Sequence, residues 1–108
     1  LALSPSALAQ PTLCEAVDNC TLTWNTSGDA PWFGQTGVTT DSVDAAQSGV
    51  LGDNQNSVME TTVTGPATVM FLWKVSSEED YDFLEFTDNG TLISEISGDV
   101  NWTLVNTT

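Results

Sequence analysis

The chain has 108 residues, 40% of them apolar, which is enough for one globular domain built on a single core. Fifteen Asp or Glu against one Lys, with no Arg and no His, give a formal charge of −14. That balance excludes nucleic acid as a partner, because phosphate contacts need Lys and Arg to displace condensed counterions, and it repels anionic membranes and acidic substrates.

The same composition argues against catalysis. Without His there is no Ser-His or Cys-His pair, and carboxylates working alone, as in glycoside hydrolysis, must face each other across a cleft. No phosphate-cradling Gly-rich loop and no zinc-type ligand spacing occurs. The chain is therefore expected to be no enzyme. Self-repulsion of this size opposes compaction, and bound calcium, high salt or a spread over a large assembly would relieve it.

In chain order, Leu1 to Gln10 (LALSPSALAQ) is an apolar extension preceding a domain that spans residues 11–108. Ala7-Leu8-Ala9 resembles a signal-peptide cleavage pattern, but the basic region and long apolar run of a complete signal are missing. No stretch approaches the ~20 apolar residues of a membrane-spanning helix. Pro11 to Asp18 is a lead-in. Cys14 and Cys20 would lie roughly 20 Å apart in an extended strand at ~3.3 Å per residue, so a disulfide between them needs the turn chemistry of Asp18-Asn19. Free thiols, or a bond between copies, are the alternatives.

Thr21 to Thr26 alternates Leu22 and Trp24 with polar residues, as a half-buried strand does. After a turn at Ser27 to Pro31, Trp32 to Thr40 is an extended piece broken by Gly34 and Gly37, the marks of a bulge or a close backbone approach. Asp41 to Gln47 suits a helical turn or a strand packed beneath something bulky, Ser48 to Asn56 a loop, and Ser57 to Thr64 a strand. Gly65-Pro66 then turns the chain.

Thr68 to Thr87 (TVMFLWKVSSEEDYDFLEFT) is the spine of the reading. Thr68 to Val75 has the Val, Phe and Trp content and scant polar interruption of a central strand buried on both faces. Tyr81 to Phe86 is expected to pair with it as a hairpin across the acidic loop Ser76 to Asp80. Glu78, Glu79, Asp80 and Asp82 crowd the tip beside Lys74, and calcium, which takes six to eight hard oxygens, is the cofactor expected there, with Asp44 or Asp53 approaching from another loop. A solvated acidic turn is the plain alternative. Asp88-Asn89-Gly90 is a hairpin tip, Thr91 to Ile96 a strand, Gly98-Asp99 a turn and Trp102 to Asn106 a last strand. Short strands at roughly ten-residue spacing indicate an all-β antiparallel sandwich of jelly-roll type.

Five Asn-x-Ser/Thr sequons begin at Asn19, Asn25, Asn89, Asn101 and Asn106. Five such triplets together with a cysteine pair suggest a glycosylated protein outside the cell or on its surface. Asn89, at the hairpin tip, is the best placed.

GDAPWFGQ (Gly28 to Gln35), DAAQSG (Asp44 to Gly49), GDNQNS (Gly52 to Ser57), TTVTGPATVMFLWKVSSEEDYDFLEF (Thr61 to Phe86) and ISGDVNW (Ile96 to Trp102) look like a module of large secreted bacterial proteins. The chain resembles the MAM-like and cleaved-adhesin-like jelly rolls from about Pro11 to Asn106. The resemblance implies a non-catalytic extracellular β-sandwich used for adhesion, carbohydrate contact or spacing, often with calcium. Modules of this kind continue for one or two strands past the position of Trp102. The fold is therefore expected to be completed by a neighbour's strand.

Two functions follow as expectations. One is a subunit of a glycosylated surface filament or layer, a homopolymer assembled by strand exchange with Leu1, Leu3 and Leu8 on the donor. The other is a carbohydrate-binding or adhesive module, its glycan partner stacking on Trp32 and Phe33, the aromatic pair in a Gly-bounded loop. Trp24 and Trp73 lie in strand patterns and suit the core better.

Overall fold

The computed structural model describes residues 10–108, so the expected donor residues Leu1, Leu3 and Leu8 lie outside the described residues. The chain divides into two compact units at Thr64 and Gly65, and all strand pairing is antiparallel. The expected all-β class holds.

The first unit contains α1 (Leu13–Ala16), β1 (Asn25–Gly28), β2 (Phe33–Gln35), β3 (Ala45–Gln47) and β4 (Ser57–Glu60). β1 pairs with β4 and β2 with β3. The one-turn helix falls where the sequence suggests only a lead-in, and a capping box explains it. The Thr12 hydroxyl accepts from the Glu15 N–H at 3.3 Å, and the Glu15 carboxylate accepts from the Thr12 N–H at 2.8 Å. Thr12-Leu13-Cys14-Glu15 carries that signature in the sequence itself.

Cys14 and Cys20 are bonded to each other, their Cα atoms 4.7 Å apart, with Asp18 at φ 58° making the turn that the bond requires. The Trp24 indole N–H closes over this loop by donating to the Asn19 carbonyl at 2.9 Å. Gly34 marks the close approach expected of it, since a Cβ there would collide with the carbonyl and ring of Pro11.

The second unit is two ribbons, formed by β5 (Val69–Ser76), β6 (Phe83–Asp88), β7 (Thr91–Ser97) and β8 (Asp99–Thr107). β6 and β7 are joined by Asn89 and Gly90, both at positive φ (49° and 81°), as a primed two-residue hairpin turn demands. β5 pairs with β8, from Val69 opposite Thr107 to Ser76 opposite Asp99, with an irregularity past Trp73. Inward from this ribbon, Phe71 sets its ring edge-on against Trp73 at 5.6 Å and against Phe86 of β6 at 5.1 Å. Trp73 and Val105 are the buried centre of this unit.

Two expectations about the spine fail. β5 is not central and not buried on both faces: it has one partner, β8, and its side chains alternate between the Phe71-Trp73-Val75 face and an exposed Met70-Leu72-Lys74 face. Nor does it form a hairpin with β6. In the loop between them the N–H groups of Tyr81 and Asp82 both donate to the Glu78 carbonyl, at 3.1 and 3.0 Å, which turns the chain away. Gly98, at φ 73°, returns it to β5, where the Ser77 N–H donates to the Gly98 carbonyl and the Gly98 N–H to the Ser77 hydroxyl. The Asn-Gly turn holds β6 to β7 with two residues, a more local closure than the acidic loop offers.

Candidate functional site

Three carboxylates converge in the first unit. Asp18 projects from the turn fixed by the disulfide, while Asp41 and Asp44 stand in the bend that leads into β3, and each brings an oxygen within 4.8 Å of the other two. One Asp41 oxygen caps the bend, accepting from the N–H groups of Val43 at 2.8 Å and Asp44 at 3.2 Å. Asp44 is half-buried, and its Oδ1 is inaccessible and makes no hydrogen bond. An open depression of ≈ 340 Å³ lies beside it, lined by Gln10, Pro11, Glu15, Thr36 and Val43.

The electrostatics follow from this crowding. Desolvation, then the charges of Asp18, Asp41 and Glu15, push the Asp44 carboxyl above the usual carboxylate range. Glu15 is shifted the other way, held low by its backbone and hydroxyl hydrogen bonds from Thr12. A carboxylate so placed is relieved either by keeping its proton or by sharing a cation with Asp18 and Asp41. Three carboxylates can supply three to six of the oxygens that calcium requires, with water and carbonyls for the remainder.

The sequence places its calcium ligands elsewhere. Glu78, Glu79, Asp80 and Asp82 lie in the exposed turn between β5 and β6, with Asp80 at φ 64° and its N–H donating to the Ser97 hydroxyl, and they are not gathered as the three aspartates are. Asp44 does approach other acids, but those are Asp18 and Asp41, and Asp53 is not among them. Asp18 and Asp41 had no signal in spacing, because the disulfide loop and the bend before β3 meet only through folding.

Of the sequon asparagines, Asn25, Asn89, Asn101 and Asn106 are exposed and Asn19 is half-buried, its side-chain oxygen accepting from the Thr21 N–H and hydroxyl at 3.2 and 2.7 Å. Trp32 and Phe33 are both half-buried, and the Trp32 indole nitrogen is buried without a hydrogen bond. Among the described residues no helix is long and apolar enough to cross a membrane. No protein family, curated protein or solved structure matches the chain.

Proposed function

We propose that this chain is a non-catalytic structural protein outside the cell or on its surface, a subunit that polymerises with copies of itself by strand exchange. The observation that supports this reading is the pairing pattern. Every sheet among the described residues has two strands, so each of the eight strands keeps one edge of unpaired N–H and C=O groups, a template for a strand from another copy. The described chain also leaves many large apolar side chains exposed and buries few, the balance expected of a subunit whose core is shared.

The extension Leu1 to Gln10 is the donor in this reading. It is apolar, and no Asp or Glu occurs before Glu15, so it can approach a strongly anionic neighbour without added repulsion. Pro5 limits pairing to the segments on either side of it. Head-to-tail exchange does not close on itself and builds a fibre. Glycans on the exposed hairpin tip at Asn89, and calcium at Asp18, Asp41 and Asp44, would coat and neutralise that fibre.

The test compares the full chain with one lacking Leu1 to Gln10, by electron microscopy and sedimentation. Strand donation predicts fibres from the first and none from the second. A monodisperse full-length monomer, or identical polymers from both, sinks the reading and leaves the adhesive module, which a glycan array would then probe through Trp32 and Phe33.

A further inference from the structure

Asn89 and Gly90 form the tip of the β6–β7 hairpin, at φ 49° and 81°. Both are exposed, and a Cβ built on Gly90 would meet nothing within 4 Å. Among the described residues neither the Asn89 carbonyl nor the Gly90 N–H is hydrogen-bonded, so the peptide plane between them turns without breaking a contact. Gly90 permits that rotation because, lacking a Cβ, it accepts either sign of φ.

Of the seven asparagines only Asn89 precedes a glycine. Asn54, exposed and at φ 60°, shares the left-handed backbone but precedes Gln55. The others are held. The Asn101 side-chain oxygen accepts from the Trp102 N–H at 2.8 Å, and that of Asn19 from the Thr21 N–H and hydroxyl. The Asn56 carbonyl accepts from the Asp29 N–H at 2.7 Å, and Asn25 and Asn106 lie inside paired strands.

We infer that Asn89 is a site of spontaneous, base-promoted deamidation in the folded protein, through a cyclic imide formed with Gly90. The Gly90 nitrogen gives its proton to hydroxide and bonds to the Asn89 side-chain carbonyl carbon, Cγ, while Nδ2 takes a proton from water and leaves as ammonia. Water then opens the ring. Breaking the bond from nitrogen to Cγ gives aspartate; breaking the bond to the main-chain carbonyl carbon leaves the chain running through Cβ and Cγ, as isoaspartate. One water enters, one ammonia leaves, and nothing is oxidised or reduced.

The change bears on the hairpin and on its other modification. Either product places a new carboxylate beside Asp88, adding one charge to the −14. Isoaspartate also inserts a main-chain carbon into a turn that closes the hairpin with two residues, which loosens the pairing of β6 with β7. Neither product keeps the side-chain amide, so the Asn89-Gly90-Thr91 sequon can no longer accept a glycan. A glycan already on Nδ2 occupies the leaving group. The two modifications exclude each other at this residue. The inference is independent of strand exchange.

The test uses the unglycosylated full chain, held folded at pH 6, 7 and 8 in H₂¹⁸O, with peptides mapped by mass spectrometry and electron-transfer fragmentation to tell isoaspartate from aspartate. The ¹⁸O label should enter Asn89 roughly tenfold or more faster than Asn54, where the Gln55 side chain hinders the same rotation. Both products should appear, and the rate should rise about tenfold per pH unit, as for a nitrogen deprotonating far below its pKa. Gly90→Ala, which retains Asn89, should bring the rate down to that of Asn54. The comparison of Asn89 with Asn54 decides the matter in the native chain even where the variant's turn is disturbed. Equal rates at those two residues, a rate indifferent to pH, an unchanged rate in Gly90→Ala, or reaction only after urea has unfolded the chain overturns the inference.

Discussion

Burial and the surrounding charges of Asp18, Asp41 and Glu15 make Asp44 the residue where proton, cation and stability are linked. Its carboxyl is raised in the folded state, so folding favours the protonated form, and stability falls as pH rises from about pH 4, the ordinary aspartate value, to the raised one. Asp44→Asn is therefore expected to raise the melting temperature at pH 7 in EDTA and to change little at pH 3. Added calcium should reverse the order, stabilising the native chain and not the variant; equal shifts in both would show that Asp44 holds no ion. Glu15 has the opposite sign. Its lowered carboxyl contributes stability that is present above the unfolded value and is lost as pH falls through the folded one. Thr12→Ala removes the hydroxyl's hydrogen bonds with the Glu15 N–H, the Glu15 carboxylate and the Cys14 sulfur, and a loss of about 1 kcal/mol in urea unfolding at pH 7 is expected.

The elements divide into those held by local chemistry and those held by distant partners. The β6–β7 hairpin belongs to the first group. A Cβ added at Gly90 meets nothing within 4 Å, so the cost of Gly90→Ala is purely the positive φ, about 1 kcal/mol. In the same hairpin Glu85 lies directly opposite Glu95, two like charges in register. Glu95→Thr should raise the unfolding free energy by about 0.2–1 kcal/mol at low salt, with the gain shrinking as salt is added. The α1 loop is held instead by the Cys14–Cys20 bond. Reduction should lower stability by about 2 kcal/mol in the loop-entropy picture, and non-reducing electrophoresis should give a single monomer band attributable to this internal bridge.

At the scale of the whole molecule, net charge governs behaviour. With −14 on 108 residues, carboxylate repulsion opposes both folding and self-association. Raising NaCl from 0.01 to 1 M shortens the screening length from about 30 Å to about 3 Å and should raise the melting temperature and favour oligomers. An assembly stabilised chiefly by ion pairs would respond in the opposite sense, so sedimentation across a salt series separates the two.

The sequence by itself determined the all-β class, most strand positions in the second unit and the Asn89-Gly90 turn, because each rests on patterns among near neighbours in the chain, whereas the internal Cys14–Cys20 bond was one of several arrangements until the fold brought the two sulfurs together. The capping box at Thr12 and Glu15, a four-residue pattern, lies in a stretch that otherwise reads only as a lead-in. Tertiary structure alone decided that β5 pairs with β8 and not with β6, and that one face of β5 stays exposed. A continuous apolar run fits a strand buried on both faces and a strand exposed on one face alike, and only the choice of partners separates them. It alone decided, too, that Asp18, Asp41 and Asp44 converge while Glu78, Glu79, Asp80 and Asp82 do not. Acids adjacent in sequence repel one another and spread into solvent, whereas acids brought together by a disulfide loop and a distant bend are held in place by the backbone around them.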